Sequence, residues 1–207
     1  MRKPARAGPA ARAAGAPRAA APGAFDGAAV ERAIAELILA LGLDPAGEAE
    51  LARTPARVAD FYREALSGLD PGRDPDLVTF PNEGRDDLVI VRDLPFHSLC
   101  VHHFAPFFGR ALVAYLPAEK LVGISAPARL LETYSRRPQL QERLGGQVAD
   151  HLERLLAPRG VAVVLEARHL CMEMRGVRRR GVVETRAVRG ELADPRWADT
   201  LRLPPER

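Results

Sequence analysis

Val161-Ala162-Val163-Val164-Leu165-Glu166-Ala167-Arg168-His169-Leu170-Cys171 reads as one β-strand with two faces of different character. The apolar, β-branched run predicts a strand over Val161–Cys171. Alternation of side chains places Val161, Val163, Leu165, Ala167, His169 and Cys171 on one face. An apolar face that ends in His and Cys sets both side chains at one end of a core. A distant segment, Cys100-Val101-His102-His103, complements it. These two segments hold both cysteines and three of the five histidines of the chain. Cys100, His103 and Cys171 together offer two thiolates and one imidazole, a zinc-type set that leaves the fourth tetrahedral position for water. Adjacent His102 and His103 cannot both point at one ion from an extended chain, so one of them is free for proton transfer.

The remaining elements are scaffold for this pair. Val30, Ile34, Leu37, Ile38 and Leu41 repeat at helical spacing from Ala28, and Gly42 closes the run. Thr54-Pro55 announces a second helix, with Val58, Phe61, Tyr62, Ala65 and Leu66 as its buried stripe and Gly68 at its end. Residues 69–86, rich in Pro, Gly, Asp and Asn, read as a loop. Strands are expected at Leu88–Leu94 and Ala111–Leu116, on either side of the Cys-Val-His-His segment. Ser125 is placed to cap a helix running to about Arg136. A longer helix is expected from Pro138, with Leu140, Leu144, Val148, Leu152 and Leu155 on one side. The strand Val161–Cys171 and a last strand, Val182–Val188, complete an order of helices, β, β, α, α, β, β. Strands segregated from helices predict an α+β fold with an antiparallel sheet.

Composition bounds what this scaffold can do. The 207 residues suffice for one well-packed domain. Apolar content of 47% and charged content of 28% are those of a globular chain. The net charge of +3 resides in the N-terminal residues, where Arg2, Lys3, Arg6, Arg12 and Arg18 stand without acids. Without them no basic patch remains for a nucleic-acid footprint. No apolar run approaches the roughly 18 residues of a membrane span. Residues 1–26, Ala/Pro/Arg-rich and almost devoid of large apolar side chains, are expected to be a disordered tail. Residues 27–207 then form a single catalytic domain: N-terminal helices over 27–80, a core over 81–190 and a C-terminal tail over 191–207. Two cysteines beside histidines fit a reducing, cytoplasmic compartment and metal binding better than a disulfide.

Several motifs carry a family resemblance. Ser98-Leu99-Cys100-Val101-His102-His103, Gly123-Ile124-Ser125, Arg137-Pro138-Gln139-Leu140-Gln141-Glu142-Arg143-Leu144 and His169-Leu170-Cys171-Met172-Glu173-Met174-Arg175-Gly176 resemble, in order, the signatures of GTP cyclohydrolase I. Thr54-Pro55-Ala56-Arg57-Val58-Ala59 resembles that family's N-terminal helix motif. The resemblance implies a tunnelling fold: a four-stranded antiparallel sheet with two helices between its strand pairs. It also implies a ring-shaped homo-oligomer, usually a decamer, with active sites between subunits. The implied reaction opens the imidazole ring of GTP and gives formate and 7,8-dihydroneopterin triphosphate. By matched position, Cys100, His103 and Cys171 are the implied zinc ligands, and His102 and His169 the proton-transfer residues. Glu142, beside Gln141, resembles the guanine-reading carboxylate. Arg57, Ser125, Arg129 and Arg175 occupy positions that hold the triphosphate.

The chain departs from that pattern at the phosphates. Asp60 and Ala126 stand where the family has lysines, and Val101 stands where it has glutamate. Gly181, Val182 and Val183 alter the usual Ser/Thr-rich start of the last strand, while Arg178, Arg179 and Arg180 add positive charge nearby. A hydrogen bond to a charged group is worth about 1.5–3 kcal/mol, so two lost lysines weigh on phosphate binding. Two other readings therefore stand beside GTP hydrolysis. One is the same chemistry on GDP, GMP or another purine; the other is a non-catalytic oligomer that binds a purine or pterin.

Overall fold

The computed structural model describes residues 24–204 apart from 45, 71, 73, 74 and 76. Most of the expected N-terminal tail, residues 1–23, lies outside the described residues. In chain order the elements are α1 (Gly27–Ala40), α2 (Thr54–Ala65), β1 (Thr79–Pro81), β2 (Val89–Cys100), β3 (Pro106–Leu116), β4 (Lys120–Val122), α3 (Ala126–Ser135), β5 (Pro138–Gln139), α4 (Gln141–Leu156), β6 (Gly160–His169), α5 (Leu170–Glu173) and β7 (Val183–Gly190).

The α+β class holds, and so does the antiparallel order of the four long strands, β2-β3-β6-β7. The sheet nevertheless has five strands, because the two-residue β5 pairs in parallel with Leu99 and Cys100 at the outer side of β2. A separate two-stranded sheet pairs β1 with β4, so the expected loop over 69–86 contains a strand.

Both faces of the large sheet are covered along much of their length. On one face Val113, Tyr115, Val161, Val163 and Leu165 meet Leu130 and Leu131 of α3 and Leu144, Val148, Leu152 and Leu156 of α4. Of the stripe expected for α4, Leu144, Val148 and Leu152 are buried; Leu155 is only partly buried beside a fully buried Leu156, and Leu140 is exposed just before the helix. On the other face Leu112, Ala114, Ala162 and Val164 pack under Leu192, Leu201 and Leu203. The C-terminal segment thus serves as the second lid of the core. Burial on both sides explains why β6 is apolar at consecutive positions, where a strand with one wet face would alternate.

Four expected boundaries are corrected by backbone pairing. The strand predicted over Val161–Cys171 stops at His169, where the β3–β6 ladder ends at the pair Phe107↔His169. Pro106, the next residue of β3, has no N–H to continue it, and Leu170–Glu173 coils into a helical turn closed by Met174 N–H to Leu170 O at 2.9 Å. The helix predicted from Pro138 begins at Gln141, because Pro138 and Gln139 are held in the sheet. The strand predicted over Leu88–Leu94 runs on to Cys100 through a register shift between Val91 and Leu94, with Asp93 at φ 55°. Pro95 is tolerated there because β5 pairs only with Leu99 and Cys100, which leaves the outer side of β2 at Pro95 without a partner strand among the described residues. The strand predicted over Ala111–Leu116 starts already at Pro106.

The N-terminal helices form where expected, but their stripes are only partly covered. Ile38 is buried in α1, whereas Leu37 and Leu41 are exposed; in α2 Pro55 and Ala59 are buried and Phe61 is exposed. Gly68 ties this region to α3. Its N–H donates to Arg136 O at 2.9 Å, and a Cβ there would collide with the Thr133 and Arg136 carbonyls. Ser125 stands at the N-cap of α3, yet its side chain makes no capping bond.

If the C-terminal segment is core, truncating it inside the chain will register as lost stability. Leu201→Ala is expected to lower unfolding free energy by about 2–5 kcal/mol, read from the midpoint of urea denaturation at unchanged slope.

Candidate metal centre

The end of β2 and the end of β6 meet through β3, which lies between them. Cys100 is the last residue of β2 and is buried. Its carbonyl accepts from Phe104 N–H at 2.8 Å and from His103 N–H at 3.3 Å, and its own N–H donates to Ala105 O at 2.9 Å. These bonds wind Val101–Phe104 into one tight turn, completed by Phe104 at φ 51°. The turn folds His103 back over Cys100. Val101 N–H donates to Gln139 O at 2.9 Å, so β5 braces the turn from the sheet edge.

Cys171 arrives from the other side, in the helical turn after β6. The ligand atoms of Cys100, His103 and Cys171 all lie within 4.8 Å of one another. Tetrahedral zinc at about 2.0–2.3 Å from its ligands needs those atoms somewhat under 4 Å apart, so a small closure completes the set. Both cysteines are free thiols. Burial raises the Cys171 thiol pKa, and the neighbouring Cys100 sulfur raises it further; Arg175 acts in the opposite sense. Two sulfurs this close resist becoming two thiolates unless a cation joins them.

The sequence expectation for the two adjacent histidines changes in this geometry. The segment is a turn, and the Nδ1 atoms of His102 and His103 both sit 4.0 Å from Cys100 Sγ. Their rings stand at 82° to each other, and His103 is the one grouped with both sulfurs. Arg175 Nη1 donates to His103 Nε2 at 3.0 Å, which places a guanidinium directly behind the candidate ligand.

His169 closes β6 with its ring stacked on Phe107, centroids 4.8 Å apart at 4°. Its Nε2 meets Gln141 Oε1 at 2.7 Å. Desolvation lowers the His169 pKa, and the charge of Glu142 in the first turn of α4 partly opposes it. Glu142 is thus within electrostatic reach of His169 and exposed. Gln141, expected among substrate-binding groups, is buried; its amide donates to Leu165 O at 3.0 Å and Val183 O at 2.9 Å.

The expected phosphate-binding residues are dispersed. Arg57 is exposed on α2, Ser125 and Arg129 are exposed at the start of α3, and Arg175 follows α5. Among the described residues no hydrogen bond or ion pair links the side chains of Arg57, Ser125 or Arg129 to the metal group. Arg129 instead lines a cavity of about 210 Å³ with Ser67, Gly68, Glu132 and Arg136. Asp60 is exposed and lies 3.9 Å from Arg63, and Ala126 is buried at the head of α3.

Two supporting residues escaped the sequence reading. Phe107 looked like any strand aromatic. Gln139 was absorbed into an expected helix, although its buried amide bonds Tyr134 O at 2.9 Å and Gln147 Oε1 at 2.7 Å and accepts from Arg143 Nε at 2.7 Å. A polar residue directly after proline and before a helix start was the available signal.

Comparison with known proteins gives a consistent picture. The family model described as GTP cyclohydrolase I matches residues 30–202. GTP cyclohydrolase 1 of Streptomyces avermitilis is 49% identical over 176 residues, covering 84% of this chain and 87% of that protein. GTP cyclohydrolase 1 of Mycolicibacterium paratuberculosis is 50% identical over 169 residues, covering 80% and 82% respectively. Among solved structures, the archaeosine synthase QueF-Like in its apo form aligns at a TM-score of 0.41 and 19% identity, covering 52% of this chain and 97% of that one. With a family match spanning nearly all of the folded residues and relatives of this identity, the chain is an enzyme of the GTP cyclohydrolase I family.

Proposed function

We propose that this enzyme uses zinc to open the imidazole ring of GTP, releasing C8 as formate and yielding 7,8-dihydroneopterin triphosphate. The observation that carries the reading is the convergence of Cys100, His103 and Cys171 from two distant strand ends, inside a chain about half identical to GTP cyclohydrolases. Zinc held by these three supplies a Lewis acid that makes water nucleophilic near neutral pH. The chain supplies the rest. Cys100 and Cys171 as thiolates and His103 as neutral imidazole hold the ion. His102 and His169 stand next to these ligands and move protons as water adds at C8 and the ring bonds break. Glu142 accepts from N1–H and the 2-amino group of guanine, a pairing that an adenine edge cannot offer. Arg57, Ser125, Arg129 and Arg175 hold the triphosphate.

Dispersal of these residues supports a site completed by a second copy of the chain, in a ring-shaped homo-oligomer, a decamer of the family type. Among the described residues the large sheet retains two open edges, most of β2 and all of β7. Edge-to-edge closure into a ring would pair them. Leu37 and Leu39 of α1, and Leu41 just past its end, are exposed apolar surface available to the same assembly.

Metal dependence is testable without turnover. The purified protein is expected to hold one zinc per chain, and Cys171→Ser to weaken zinc retention against a chelator by at least about 10–100-fold. Full retention in that variant would remove Cys171 from the ligand set. Incubation with GTP is expected to release formate and an oxidisable fluorescent pterin, with slower turnover of GDP and GMP. His169→Ala is expected to lower kcat by about 10²–10⁴-fold. Equal turnover of GMP and GTP would show that Asp60 and Ala126 have abolished triphosphate recognition.

A further inference from the structure

His169 is gripped in two directions, by Gln141 in the plane of its ring and by Phe107 across its face. In the ring plane, Gln141 Oε1 lies 2.7 Å from Nε2. The orientation of that amide is dictated from behind, because its nitrogen faces two backbone carbonyls, Leu165 O at 3.0 Å and Val183 O at 2.9 Å. Carbonyls only accept, so the NH2 group must point at them and the oxygen at His169. An amide oxygen also only accepts, so Nε2 carries a hydrogen whether the ring is neutral or charged. Out of plane, Phe107 stacks on the ring at 4.8 Å and 4°, from the position directly across the ladder. The other nitrogen, Nδ1, has no hydrogen-bond partner among the described residues.

We propose that Gln141 and Phe107 are positioning residues that lock His169 as the Nε2–H tautomer and leave Nδ1 as its working nitrogen. The inference rests on the reading of His169 as a proton-transfer group. It gives Gln141 a role different from substrate binding: both amide hydrogens are committed to the backbone, and its oxygen holds the imidazole. The clamp also has an outside reference, since Leu165 and Val183 belong to neighbouring strands β6 and β7. Ring position is thereby measured against the sheet.

The test uses the full chain labelled with ¹⁵N at its five histidines. Solid-state ¹⁵N spectra of sedimented protein distinguish protonated from unprotonated ring nitrogens, and the signals lost in His169→Asn assign this residue. Wild type is expected to show His169 protonated at Nε2; an Nδ1–H tautomer would overturn the proposal. Gln141→Met, which has no amide, is expected to mix the tautomers and lower kcat about 10–100-fold with KM changed less than about threefold. A rise in KM with kcat preserved would make Gln141 a substrate contact and overturn the lock. Phe107→Leu is expected to keep the tautomer and lower kcat about 3–10-fold at constant KM; unchanged kcat would remove Phe107 from the clamp. If Gln141→Met does not fold, the wild-type spectrum and Phe107→Leu decide. Absence of formate release by wild type would sink the reaction assigned above, while the spectrum would still decide the tautomer.

Discussion

The ladder between β3 and β6 is the constraint from which the candidate metal centre follows. It runs without interruption from Leu116↔Gly160 to Phe107↔His169. One end is held by the two-sided core, where Val113, Val163 and Leu165 face the helices and Leu112 and Val164 face the C-terminal segment. The other end delivers His169 beside the turn that carries Cys100 and His103. Gly109 sits in this ladder opposite Ala167, and a Cβ there would drive into the Glu166 carbonyl. The close approach of the two strands near the site therefore depends on a residue without a side chain.

Around that axis the site is assembled from three short-range devices. The Cys100–Phe104 turn spends backbone hydrogen bonds to bring an imidazole over a thiol. The parallel contact of β5 fixes the turn from the edge, with the Gln139 amide anchored between α3 and α4. The helical turn after His169 swings Cys171 out of the strand and towards Cys100. Tyr62 of α2 approaches the same turn, its ring 6.3 Å from that of Phe104, so the N-terminal helices are in touch with the centre.

Much of this was legible in the chain. Apolar spacing located α1, α2 and α4, and the even–odd pattern from Val161 chose the correct inner face. The Cys-x-x-His and His-x-Cys spacings named the group that converges. What remained hidden was set by tertiary pairing. Pro138-Gln139 carries no strand propensity and becomes sheet only because Leu99 and Cys100 lie alongside. The strand expected over Leu88–Leu94 ends before Pro95, whereas the chain passes through a bulge between Val91 and Leu94 and stays in the sheet as far as Cys100. Cys171 leaves the strand because the ladder ends at Phe107↔His169 and Pro106 has no N–H to extend it. The residues expected to hold phosphate belong to a different class: their motifs carry the resemblance, but among the described residues no side-chain hydrogen bond or ion pair joins Arg57, Ser125 or Arg129 to the cysteine-bearing group.

The double burial of β6 imposes a parity rule on its length. From Gly160, where a Cβ would already meet the backbone of Leu192, to His169 the pleat assigns each residue to the helix side or the C-terminal side. Inserting one residue would send His169 to the side now held by Arg168 and offer Phe107 a guanidinium instead of an imidazole. Inserting two would restore the side but carry the histidine about 6–7 Å beyond the end of its ladder. Drift in this segment is thus confined to substitution.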